Sequence, residues 1–156
     1  MRLFGGSCKN PQYRAVDSEG NTLDFWLSAT RDAAAAQAFF EKTLGAPHTV
    51  QPRVINVDKN AAYPKAVETL KAQERLAADC ELRQVKYLNN LIEQDHRFIK
   101  RRTRPGLGFF AFDTAQRTLS GYETMHMIRK GQVRGVDRGD ILAQVHLIES
   151  LFGLAA

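Results

Sequence analysis

Two carboxylates are set among residues that could share their chemistry. Glu93 lies in "NNLIEQDHRFIKRRTR" (89–104), where five of the eight residues from Arg97 to Arg104 are basic and none is acidic. Asp58 closes the β-branched run "RVINVD", and 34 residues lie between it and Glu93. Hard divalent ions such as Mg²⁺ prefer oxygen ligands and retain several waters, so a few carboxylates suffice to hold one. Two such ions can activate an attacking hydroxyl and stabilise the leaving oxygen of a phosphodiester. Adjacent cations would hold the polyanion against them.

Each residue also has a plainer reading. An Asp before "KN" is a common turn former. Glu93 stands four residues before Arg97, the spacing of a helical ion pair. A basic run can simply be a solvated face, with His96 turned to solvent or phosphate. His48, His126 and His146 have no metal-ligand spacing.

The elements that must position these residues are legible in outline. "YRAVDSEGNTLDFWLS" reads as a hairpin, with "DSEGN" supplying the turn. "RDAAAAQAFFEKTLG" is rich in helix formers and ends at Gly45, a candidate C-terminal cap. "RVINV" (53–57) is a short strand, Pro64 can open a helix through Ala72, and "ELRQVKY" (81–87) is a weaker strand. In 88–104, Leu88, Leu91, Ile92, Phe98 and Ile99 recur at helical spacing, as does Asp95. Glu93, Arg97, Lys100 and Arg104 form a separate stripe, and Pro105 should end the helix at Arg104. Two further helices are expected over about Asp113–Lys130, with Gly131 as a stop, and Asp140–Phe152. The order β-β-α-β-α-β-α followed by helices suits a mixed sheet covered by helices.

Composition narrows the class of protein. A chain of 156 residues, 44% hydrophobic and 25% charged, can bury a core and suggests one soluble domain. No apolar run is long enough to span a bilayer, and "MRLFGGSCKN" lacks a signal peptide's apolar segment. Cys8 and Cys80 have no paired-ligand spacing, so reduced thiols in the cytoplasm are expected. The net charge of +5 is a mild pointer to an anionic partner.

The stretches "YRAVDSEGNTLDFWLS", "RVINVDKNAAYP", "ELRQVKYLNNLIEQDHRFIKRRTRPGLGFF" and "TAQRTLSGYETMHMIRKGQ" closely resemble bacterial insertion-sequence transposases of the DDE class, specifically the IS-six group. The likeness runs from about Tyr13 to Gln132, and "NNLIEQDHRFIKRR" is its most specific marker. It implies an RNase H-like mixed sheet flanked by helices and a two-metal site for Mg²⁺ or Mn²⁺. It also implies metal-dependent cleavage and transfer of DNA strands. Asp58 matches the second catalytic aspartate and Glu93 the catalytic glutamate, both metal ligands. Lys100 matches the basic residue that the family turns toward DNA; Arg97, Arg101, Arg102 and Arg104 fit phosphate contacts. Asp17 and Asp24 match no catalytic position.

The family's first aspartate stands in a "DET"-like motif on the first strand, upstream of the hairpin. Here no Asp or Glu precedes Asp17, and "MRLFGGSCKNPQ" departs from the pattern. The expectation is an N-terminally truncated transposase with its first strand incomplete or replaced. Residues 1–12 would be a divergent segment, 13–132 a partial catalytic-type domain and 133–156 a helical tail. Such a chain would be catalytically impaired, associated with the nucleoid through transposon-end or target DNA, and able to join itself or full-length transposase. A non-catalytic DNA-binding or transposase-interaction fragment is the alternative. A different nuclease of the same fold would need Ser7, Cys8 or Asn10 to complete its site, and these are poor ligands for a hard ion.

Overall fold

A computed structural model describes residues 2–5, 12–85, 90–103, 109 and 111–154; of residues 2–5, 90–93, 95 and 96 it describes the backbone alone. The chain is a mixed α/β protein that divides into two compact units, Met1–Gly108 and Phe109–Ala156.

The first unit is built on a five-stranded sheet. Its strands are β1 (Arg2–Gly5), β2 (Gln12–Val16), β3 (Thr22–Leu27), β4 (Val54–Val57) and β5 (Glu81–Gln84). Their order across the sheet is β3-β2-β1-β4-β5. The hairpin β2–β3 is antiparallel, with Tyr13 opposite Trp26 and Arg14 opposite Phe25. Its turn is held by Asp17, whose Oδ1 accepts from the backbone N–H of Glu19 and of Asn21, each at 2.8 Å. Strand β4 runs parallel to β5 over four residue pairs. Sequence reasoning found every strand except β1, which occupies the centre of the sheet. It is antiparallel to β2 from Arg2 opposite Val16 to Gly5 opposite Tyr13, and parallel to β4 with Arg2 opposite Asn56.

Helices α1 (Ala33–Leu44) and α2 (Ala62–Ala72) pack together on one face of this sheet. In α1, Asp32 caps the N-terminus by accepting from Ala35 N–H at 2.8 Å. The alanine-rich sequence favours helix, and Ala35, Ala36, Phe39, Phe40 and Thr43 follow the three- and four-residue spacing of one buried stripe. Gly45 does cap α1, though in right-handed geometry (φ −79°) rather than the left-handed form that favours glycine. The stripe meets Tyr13, Ala15, Ile55, Val57, Tyr63, Val67 and Leu70 in one core. Ring contacts tie the layers: Tyr13 to Phe39 at 5.5 Å, and Phe40 edge-on to Tyr63 at 6.1 Å. All five residues of β2 are buried, so both faces of that strand are covered. Helix α3 (Asn90–Thr103) lies against β1 and β2, and its Ile99 is buried.

The edge strand β3 is dressed by side chains. Lys42 Nζ of α1 donates to the carbonyl of Phe25 at 3.2 Å and to Asp24 Oδ1. His48 Nε2 donates to the carbonyl of Leu23 at 3.0 Å. At the other edge, Arg83 and Glu81 form an exposed ion pair along β5.

The second unit holds α4 (Phe112–Arg129) and α5 (Ile141–Leu151), which begin and end within two residues of the sequence expectation. Between them Gly131 adopts φ +73°, and a Cβ there would lie 2.4 Å from the backbone nitrogen of Arg138, so only glycine fits the turn. Asp140 caps α5 through Ala143 N–H at 3.0 Å. No described helix is long and apolar enough to cross a membrane.

Candidate metal and nucleic-acid site

Strand directions decide what can meet at the rim of the sheet. Because β3 is antiparallel to β2, β2 antiparallel to β1, and β1 and β4 parallel, β1, β3, β4 and β5 all end at the same rim. Strand β2 begins there. Ligands of open α/β sheets gather beyond such carboxyl ends.

Asp58 is the first residue past β4 and is 22% exposed. Its Oδ1 accepts from Asn60 N–H at 3.2 Å, and Asn60 Oδ1 in turn accepts from Ala62 N–H at 2.9 Å, at the start of α2. The turn-forming reading of Asp58 is therefore correct and does not exclude a ligand role, since Oδ2 points elsewhere. Oδ2 accepts from Arg31 Nη2 at 3.0 Å. Arg31 stands just before α1 in the connection from β3, so the pair joins the ends of two strands at one rim. Gln84 Nε2, at the end of β5, donates to Asn60 O at 3.2 Å and fixes the same loop from a third strand.

Two tyrosines lie close enough to feel these charges. Tyr13 from β2 and Tyr63 from α2 are each 1% exposed, and neither hydroxyl has a hydrogen-bond partner among the described residues. Burial pushes the Tyr63 hydroxyl far above its ordinary range, and the Asp58 charge adds to the rise. Burial likewise raises Tyr13, with Arg31 opposing and Asp32 and Asp58 reinforcing. Both are fixed as neutral donors at any physiological pH.

Glu93 sits in the first turns of α3 by its backbone position, and its side chain lies outside the described residues. Asn90 follows Gln84 by six residues, so the start of α3 is within about 20 Å of the rim end of β5 by chain length alone. Farther along the helix, Arg97, Lys100 and Arg101 are exposed. At 100° per residue, Arg97 and Lys100 share the stripe of Glu93, while Arg101 stands on its shoulder. Arg102 falls on the opposite side, where its guanidinium stacks 3.6 Å over the Phe98 ring. Arg104, Ser7, Cys8 and Asn10 lie outside the described residues.

A hard divalent ion would find in Asp58 a partly exposed carboxylate, with two buried hydroxyls nearby that lack acceptors. These fit a hydrated ion that needs one or two protein carboxylates and outer donors. The central strand "RLFG" adds no carboxylate, and among the described residues no three His, Cys, Asp or Glu side chains gather as a ligand group.

Sequence reasoning missed Arg31, Tyr13 and Tyr63 as members of this site. Arg31 and Asp58 are 27 residues apart, so no local pattern links them. The available signal was topological: both follow strands, and parallel strands place their following residues on one rim.

Comparison with known proteins then adds ancestry. A family model described as a DDE domain matches residues 9–132. The transposase for insertion sequence-like element IS431mec of Staphylococcus aureus is 38% identical over 125 residues, which cover 80% of this chain and 53% of that protein. The transposase for insertion sequence element IS257 in transposon Tn4003 of Staphylococcus aureus matches over the same shares at the same identity. An uncharacterized protein of Yersinia pseudotuberculosis is 31% identical over 70 residues, covering 44% of this chain and 65% of its own length. The chain spans about half the length of the transposases it matches. With a DDE-domain match across most of its residues and this identity to insertion-sequence transposases, the chain belongs to the DDE transposase family, in the IS-six group.

Proposed function

We propose that this chain is the metal- and DNA-handling part of an insertion-sequence transposase with an RNase H-like fold, acting in DNA transposition. The observation that carries this reading is the position of Asp58: partly exposed, at the carboxyl end of a strand, beside the central strand of the sheet. The strand order with β1 between β2 and β4 supports the fold, as do helices α1 and α2 on one face.

In this reading Asp58 and Glu93 hold Mg²⁺ or Mn²⁺, which when bound supplies charge stabilisation at the scissile phosphate and a more acidic water. The chain's own residues do the rest. Asn60 N–H orients the Asp58 carboxylate. Tyr13 and Tyr63, neutral and buried, offer donors to the outer side of the site. Lys100 and Arg97, on the Glu93 stripe, hold the DNA backbone with Arg101. Arg104 adds to these phosphate contacts, and Arg102, on the opposite side of α3 and stacked on Phe98, is a more fixed and more peripheral one. The DNA comprises transposon ends and target, and the working form is an oligomer of this chain or its assembly with longer transposase copies.

Catalysis by this chain alone is impaired, because β1 offers no carboxylate where the resemblance assigns the first aspartate. The same observation favours a second reading, a DNA-binding fragment that occupies ends or partner subunits without cutting. A Mn²⁺-dependent nicking and strand-transfer assay on a labelled DNA end separates the two, with wild type beside Asp58→Ala and Glu93→Ala. Weak nicking that both substitutions abolish is the expected outcome for the metal reading. Salt-sensitive DNA binding with no nicking, unchanged by either substitution and by chelator, assigns the chain to the binding reading.

A further inference from the structure

Arg31 stands where a metal-binding carboxylate would not ordinarily be spared a partner. Its guanidinium donates to Asp58 Oδ2 at 3.0 Å, the oxygen not used by Asn60. Among the described residues Arg31 has no second hydrogen-bond or ion-pair partner, and its side chain is 34% exposed. Among the described residues it is therefore held at the rim by Asp58 alone, on a long side chain that can swing into solvent. A divalent ion taking Oδ2 as a ligand would have to share that oxygen with a full positive charge already in contact with it. Two cations that close repel, and only one of them can have the oxygen's full field.

We propose that Arg31 is a placeholder cation that neutralises Asp58 in the metal-free chain and competes with the divalent ion for the same carboxylate. This rests on the reading of Asp58 as a metal ligand. It predicts that the rim is kept charge-balanced before loading, and that metal affinity is set partly by how readily Arg31 withdraws. Without Arg31, an ion meets an uncompensated carboxylate and binds more tightly.

The test is direct binding of Mn²⁺ to the full chain, read by electron paramagnetic resonance of free Mn²⁺, without DNA or turnover. Wild type is compared with Arg31→Gln, Arg31→Lys and Asp58→Asn, each checked for folding by circular dichroism. Arg31→Gln should tighten Mn²⁺ binding by about two- to fivefold, the range expected from losing one partly exposed ion pair. Arg31→Lys keeps the charge without the planar fork, so its affinity should fall between the two. The two Arg31 variants are read independently, so either one, if folded, suffices. Unchanged or weaker binding in the Arg31 variants, with binding lost in Asp58→Asn, overturns the placeholder role and leaves the metal site standing. Mn²⁺ binding that survives Asp58→Asn overturns the metal reading of Asp58, and the placeholder role with it.

Discussion

Tyr63 illustrates how a single residue can be built for something other than stability. Its ring is part of the core, edge-on to Phe40, yet its hydroxyl is buried with no partner among the described residues. A buried polar group left unpaired costs free energy that a phenyl ring would not. Tyr63→Phe should therefore stabilise the chain by about 1 kcal/mol in urea unfolding, whereas Phe39→Ala, which empties the centre of the same core, should cost about 3–5 kcal/mol. A loss of stability in Tyr63→Phe would mean the hydroxyl is satisfied in solution. At this scale the sequence was half legible. Asp58 was visible because a carboxylate ending a β-branched run has both turn and ligand chemistry, and the Asn60 contact bears out the turn. Arg31 was invisible because nothing in "SATRD" records which strand end lies across from it.

Elements were read more reliably than contacts, because their signals are local. The hairpin announced itself through "DSEGN", α1 through its alanines, and α3 through apolar spacing against a basic stripe. The cap at the start of α1 went unread: Asp32 accepts from Ala35 N–H and thereby fills one of the helix's open donors. That hydrogen bond holds the Asp32 carboxyl below its ordinary value of 3.8. A folded-state pKa below the unfolded one adds stability above the unfolded value, and that stability is lost as pH falls through the folded one. Asp32→Asn keeps a capping side chain without a titrating group. Wild type should melt slightly above the variant at neutral pH, and the advantage should shrink as pH falls below about 4 and disappear through the lower folded-state value in a pH series of thermal melts. Strand β1 was the element missed. "RLFG" has no alternation and ends in glycine, so its strand character comes from the ladders that β2 and β4 lay along it.

For the molecule as a whole, charge and shape set how it meets partners. A net charge of +5 is modest, but the exposed Arg97, Lys100 and Arg101 concentrate part of it on one helix. If these residues touch phosphate, each Ala substitution should weaken DNA binding without regard to sequence. Each should also flatten the slope of log affinity against log salt by about 0.7–0.9, read by fluorescence anisotropy. Arg102→Ala, which leaves a stack on Phe98, should change that slope less than Lys100→Ala. The sheet itself imposes a different limit. Its outer carbonyls at Leu23 and Phe25 are taken by His48 and Lys42, and its opposite margin is a four-residue strand carrying an exposed Glu81–Arg83 pair. A foreign strand approaching either side meets occupied acceptors or charge instead of an open template. Copies of this protein can crowd together without stitching their sheets into fibres.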